Sequence, residues 1–145
     1  MIKIYLDNCC FNRPYDDQSS LRIRLEAEAK LKIQEEIRGG TYTLIWSYIL
    51  DYENSNNPFK ERKRQIAGWK KYAITDIQES TKVLGLAKIL RKHGIKKLDA
   101  MHIACAIHVK ADYFPTTDDG ILNKADLVPD IRVTDPIGFI KEVLT

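Results

Sequence analysis

The stretch Leu98-Asp99-Ala100-Met101-His102-Ile103-Ala104-Cys105-Ala106-Ile107-His108, continuing through Asp112-Tyr113-Phe114-Pro115-Thr116-Thr117-Asp118, decides the fold class. Ala100, Ile103, Ala104 and Ile107 recur at helical spacing and make a narrow apolar face suited to close packing. A helix therefore opens at Leu98 and ends near Lys110. Asp112-Tyr113-Phe114 reads as a strand, and it runs into the turn formers Thr116-Thr117-Asp118-Asp119-Gly120. A helix that feeds a strand, which feeds a polar turn carrying acids, is a fragment of an alternating α/β chain.

The same alternation extends outward in both directions. Upstream, Glu79 to Lys92 reads as a helix with Val83, Leu86, Ala87 and Leu90 on one face and Gly94 just beyond. Ala73-Ile74-Thr75 reads as a short edge strand, and a basic helix covers Phe59 to Lys71. Asn54-Ser55-Asn56-Asn57-Pro58 is a loop. Thr41 to Trp46 is a strand closed by Ser47, with a helix from Tyr48. Arg22 to Ile37 is an amphipathic helix stopped by Gly39-Gly40. Ile2 to Leu6 alternates, is β-branched, and ends in Asp7-Asn8. Downstream, a short helix, the strand Ile131-Arg132-Val133 and a helix from Pro136 complete the chain. Strands alternating with helices predict an α/β fold with a parallel sheet covered on both faces.

The bulk properties agree with one domain over residues 1–145, 44% hydrophobic and 30% charged. No stretch approaches the ~20 apolar residues that span a bilayer. Asp7 interrupts what a signal peptide would need as an apolar run, so a cytoplasmic protein without a membrane is expected. The net charge of +3 permits a polyanionic partner without demanding one. Two basic stretches, Lys60 to Tyr72 and Lys88 to Lys97, suit a phosphate backbone, and equally suit two solvated helix faces. Cys9, Cys10 and Cys105 include no C-x-x-C, and adjacent Cys9 and Cys10 would face opposite ways on a strand. Buried thiols are expected rather than a zinc site or disulfides.

Topology brings the acids together. Crossover helices run antiparallel to the strands, so strand C-termini and helix N-termini share one edge of the sheet, where ligands bind at the point of reversed strand order. Asp7 follows the first strand, and Glu53 lies early in the helix after the second. Asp99 opens the Leu98 helix, and Asp118 follows the Asp112–Phe114 strand. If the first strand lies beside the latter, all four converge. Converging carboxylates repel, and a hard divalent ion such as Mg2+ or Mn2+ relieves this while retaining waters. Such an ion activates water and stabilises a leaving oxygen, and two ions about 4 Å apart divide those roles. Each acid also has a structural reading: Asp99 as a first-turn acid, Asp118 and Asp119 as turn formers. His93, His102 and His108 are not required. His102, three residues after Asp99, approaches the site from the next turn or is a histidine satisfied elsewhere.

Leu6-Asp7-Asn8, Ser47 to Glu53, Leu98 to Ala104 and Thr116-Thr117-Asp118, in this order, resemble the PIN domain, the family named for the PilT N-terminus. The resemblance implies a three-layer α/β/α sandwich with a five-stranded parallel sheet. It implies a Mg2+- or Mn2+-dependent nuclease, usually a ribonuclease. Many small members are toxins of toxin–antitoxin pairs and form homodimers, so an RNA substrate, an antitoxin protein and a second copy are the implied partners. The family's four acids fall on Asp7, Glu53, Asp99 and Asp118, with Asp7, Asp99 and Asp118 as metal ligands and Glu53 completing or tuning the site. Asn8 and Thr116 match supporting positions. Asp51 competes with Glu53 and points to another side of the helix, and Asp119 competes with Asp118. The segment from Cys9 to Gln18 is longer and more polar than the short apolar helix of toxin members, and its Asn12 and Arg13 either contact a phosphate or fix the loop.

Two other classes compete. A catalytically silent PIN-like module would bind RNA or protein, as members lacking acids do. A phosphotransfer domain needs paired acids after the first strand or Asp-x-Asp, and Asp7-Asn8-Cys9 offers neither.

Overall fold

The structure, a computed structural model, describes residues 1–143. Its five strands are β1 (Ile2–Ile4), β2 (Tyr42–Ser47), β3 (Ala73–Ile77), β4 (Tyr113–Pro115) and β5 (Arg132–Thr134). They form one wholly parallel sheet in the order β3-β2-β1-β4-β5. The helices are α1 (Asn8–Asn12), α2 (Leu21–Arg38), α3 (Tyr48–Ser55), α4 (Lys60–Ala67), α5 (Thr81–Lys92), α6 (Lys97–His108), α7 (Asp119–Leu122) and α8 (Pro136–Val143). This is the expected α/β sandwich. None of the described helices is long and apolar enough to cross a membrane.

The strand order fixes where a site can form. From β1 the chain steps outward to β2 and β3, then returns past β1 to β4 and β5. The order therefore reverses between β1 and β4, which pair directly, and a crevice opens beyond the C-terminal ends of these two strands. Right-handed crossovers put α2 on one face and the α5–α6 pair on the other, because the chain travels in opposite directions across the sheet in the two halves. Every residue of β2 is buried, as a strand sandwiched between helical layers must be.

Local chemistry explains the helix starts. The side chains of Ser20, Ser47 and Ser80 cap α2, α3 and α5 by accepting from the amides of Ile23, Leu50 and Val83. Gly94, at φ +87°, turns α5 back into α6, a left-handed conformation that a Cβ would strain. Phe11, Trp46, Ile33, Leu44 and Phe114 are fully buried in the core, each worth about 2 kcal/mol relative to exposure.

Three local expectations are corrected. The first strand ends at Ile4, because Tyr5 and Leu6 leave the β2 ladder while staying buried. Cys9 and Cys10 lie on the short helix α1, which Asp7 caps, rather than on a strand. Cys10 is buried and Cys9 partly so, and both are free thiols. The basic helix breaks at Gly68, where the backbone tightens into a 3-10 turn over Gly68–Tyr72.

Candidate active site

The crevice between β1 and β4 is built around Asp7, which is 4% exposed. Its Oδ1 accepts from the Asn8 amide at 2.8 Å, and its Oδ2 accepts from the Thr116 hydroxyl at 2.8 Å. Thr116 Oγ1 in turn accepts from the Asp118 amide at 3.1 Å. The two loops beyond β1 and β4 are thus stitched through one threonine. Cys9 Sγ lies 3.3 Å from both Asp7 Oδ2 and Thr116 Oγ1, so α1 adds a thiol wall to the same corner.

Glu53 arrives from α3 and faces this corner. Asn8 Nδ2 donates to Glu53 Oε2 at 3.4 Å, and His102 Nε2 holds Glu53 Oε1 in a short contact. One ligand atom each from Asp7, Glu53 and His102 lies within 4.8 Å of the others. Asp99, in the first turn of α6, lines a small cleft with Asp118, Lys96 and Lys124. Its carboxyl is pushed up to about 6, first by burial and then by the negative charges of Asp7 and Asp118, with Glu53 adding less. Asp7 and Glu53 therefore meet, together with His102, while Asp99 and Asp118 lie outside that compact group and share an adjoining cleft.

Both ambiguous neighbours are committed elsewhere. Asp51 accepts from Trp46 Nε1 at 2.9 Å and pairs with Lys70 at 3.0 Å. Asp119 forms a bidentate pair with Arg22, at 2.6 and 3.0 Å. Arg13 also serves structure: its Nη1 lies 3.3 Å from Asp16 and its Nε 3.2 Å from the buried Glu26, so it fixes the loop after α1 to α2. Asn12 accepts from Asn57 at 3.2 Å and ties that loop to the one after α3.

Sequence reasoning did not require His102, and the structure gives it a specific place. It is fully buried, and Tyr5 OH lies 2.6 Å from its Nδ1 and 2.5 Å from Ser47 Oγ. An ionised carboxylate only accepts, so Nε2 carries the proton toward Glu53. A neutral ring then accepts at Nδ1 from the Tyr5 hydroxyl, whose oxygen accepts from Ser47. Every proton in the chain Ser47–Tyr5–His102–Glu53 is used once. The sequence signals were the i, i+3 spacing of Asp99 and His102 and the Tyr5 position two residues before Asp7.

The two basic stretches differ. In the first, Arg62 donates to Tyr15 O at 2.8 Å and lies over the Phe59 ring, Lys63 donates to Ser55 O at 3.0 Å, Arg64 pairs with Glu61, and Lys70 bridges Asp51 and Asp76. Those cations are consumed by the fold. In the second, Lys88, Arg91, Lys92, Lys96 and Lys97 are exposed, and their side chains form no ion pair among the described residues.

The carboxylate cluster makes a pH-dependent stability contribution. Asp99 titrates near 6 in the folded chain and near 3.8 as an ordinary carboxyl. Between those values the folded state holds the proton that the unfolded state releases, so its contribution to stability falls as pH rises from 4 through 6. The group is only about half-buried, so the cost above pH 6 is about 1 kcal/mol after screening. In EDTA, Asp99→Asn is expected to raise the melting temperature by about 3 °C at pH 7 and to change it little at pH 4. An equal shift at both pH values would remove the electrostatic account.

Donor chemistry fits a divalent cation: clustered carboxylate oxygens and one raised carboxyl. Comparison with known proteins bears on this geometry. A family model described as the PIN domain matches residues 4–127. Among solved structures, the chain resembles the crystal structure of VapBC2 from Rickettsia felis bound to a DNA fragment from their promoter, with 16% identity and a TM-score of 0.57, covering 92% of this chain and 98% of that one. At that identity the likeness concerns the fold. No curated protein matches the sequence.

Proposed function

Because the chain belongs to the PIN-domain family, we propose that it is a metal-dependent ribonuclease, acting as one domain over residues 1–145. The observation that carries this reading is the meeting of Asp7 and Glu53, from separate segments, where strand order reverses, with Asp99 and Asp118 in the adjoining cleft. Asp7, Asp99 and Asp118 are the residues that would hold Mg2+ or Mn2+. When bound, such a cation lowers the pKa of a water that attacks phosphorus and stabilises the leaving oxygen.

The protein's own residues do the positioning. Thr116 and the Asn8 amide fix both oxygens of Asp7, so this carboxylate has one orientation before any ligand arrives. His102, held by Tyr5, presents an N–H to Glu53 and sets that carboxylate against the cluster. With its Nε2 proton directed at Glu53, His102 is a positioning residue rather than a metal ligand. Glu53, outside the three metal ligands, is the carboxylate that would accept a proton released on hydrolysis.

The solved VapBC2 complex suggests the biological setting. We read this chain as the cytoplasmic toxin of a toxin–antitoxin pair, forming a homodimer and restrained by an antitoxin protein. The test is cleavage of a structured RNA pool by purified protein with Mn2+ and, in parallel, with EDTA. Cleavage that EDTA removes supports the reading. RNA binding without cleavage under any divalent ion would replace it with a binding module. Independently of turnover, Mn2+ at about 100 times its Kd is expected to stabilise the protein by about 2.7 kcal/mol. A melting temperature unmoved by Mn2+ and Mg2+ would refute the metal site.

A further inference from the structure

Helices α3 and α6 carry the acids on one side of their seam and a different surface on the other. Tyr48 and Tyr52 are four residues apart on α3, and Lys97 and Met101 four apart on α6, so each pair forms a ridge. Between the ridges lies a groove of about 520 Å3, floored by Ile49 and Leu98. Tyr52 is 57% exposed, lines the groove and directly precedes Glu53. Lys97 lies two residues from Asp99 and has no ion pair among the described residues.

We infer that this groove is a nucleobase subsite: it takes one unstacked base of single-stranded RNA against Tyr52, with Lys97 on the adjoining phosphate. The inference rests on the ribonuclease reading for its substrate class. Charge decides the occupant. Lys97 on this flank of Asp99, and Lys96 and Lys124 on the opposite flank, place cations on both sides of the acid cluster. A polyanion crossing the cluster meets them in turn. The aromatic wall meets what a phosphate backbone carries beside it, a flat π-face. An apolar peptide would use the ring and gain nothing from the unpaired lysine.

The subsite also explains a division within the chain. The cations of Arg62 to Lys70 are paired internally, so the RNA is tracked along the α6 start instead. A base held beside Glu53 fixes which phosphate lies over Asp99, so the groove selects unpaired RNA over duplex, whose bases are stacked and paired.

The test uses a single-stranded oligoribonucleotide carrying 2-aminopurine, titrated with Mn2+ into Asp7→Asn protein, which removes turnover. The base fluorescence should quench on binding. Adding Tyr52→Ala should raise Kd about tenfold, from the stacking worth of one base, and relieve the quench, while Tyr52→Phe should retain both. Adding Lys97→Ala should weaken binding about threefold and lower the salt dependence by about one phosphate. Equal affinity and equal quenching in the Tyr52→Ala protein would overturn the inference and leave the groove to an apolar peptide segment. The two readings fail separately: wild-type cleavage with Tyr52-independent binding sinks only the groove. Tyr52-dependent binding without wild-type cleavage sinks only the ribonuclease.

Discussion

Replacing Asp7 with Asn is expected to lower the rate of RNA cleavage at saturating Mn2+ by about a thousandfold or more, equivalent to about 4 kcal/mol of transition-state stabilisation. The fold should persist. Asn caps a helix as well as Asp does, so its Oδ1 keeps accepting from the Asn8 amide. The new amide donates to Thr116 Oγ1, where the carboxylate accepted, and the threonine hydroxyl rotates to suit. What is lost is the negative charge at the buried centre of the cluster. Single-turnover cleavage and thermal melting in EDTA separate the two effects. A melting temperature near that of the wild type with cleavage abolished is the expected result. Undiminished cleavage would take Asp7 out of the site.

The reason this acid was legible before the structure, and His102 was not, is topological. Asp7, Glu53, Asp99 and Asp118 each sit at the C-terminal end of a strand or the N-terminal part of a helix. An alternating α/β chain puts all such positions on one edge. Edge membership is a property of local pattern, and the sequence carries it in full. The Tyr5–His102 bond joins residues 97 positions apart and depends on the exact seating of α6 against β1, which no local pattern encodes. The same limit applies to the first basic stretch. Its sequence reads as an RNA track, but Asp16, Ser55, Glu61, Asp51 and Asp76 happen to stand within reach of it. Helix α1 was missed because five residues, Asn8-Cys9-Cys10-Phe11-Asn12, show no period. It is held by the Asp7 cap and by burial of Cys10 and Phe11, both consequences of the crevice. Gly68 was visible, yet a glycine near a helix end does not say whether the chain stops or tightens.

Lys30 supplies the largest expected change in stability. It lies on the buried face of α2, 2% exposed, with its Nζ 5.0 Å from the Phe11 ring centroid and 5.9 Å from that of Trp69. Burial lowers its ammonium from 10.5 to about 7, with the charge that Cys10 would carry as the one opposing influence. Between pH 7 and 10.5 the unfolded chain binds a proton that the folded chain has given up. Unfolding is therefore favoured by proton uptake across that window, and the penalty shrinks as pH rises toward 10.5. At pH 7 the full shift corresponds to about 5 kcal/mol, and the two ring faces, which favour the cation, return part of it. Lys30→Met keeps the length of the side chain and removes the desolvated charge, so it is expected to stabilise the protein by about 2–3 kcal/mol at pH 7. The gain should fall toward zero near pH 10.5. Cys10 and Tyr5 also have raised pKa values and make stability decline at alkaline pH, but they do so in both proteins. The informative quantity is the difference between wild type and Lys30→Met in urea unfolding at pH 7, 8.5 and 10. A constant difference would mean that methionine merely packs better. A destabilised Lys30→Met protein would mean that the ammonium, held between Phe11 and Trp69, is a favourable contact that brings α1 and the 3-10 turn after α4 onto α2.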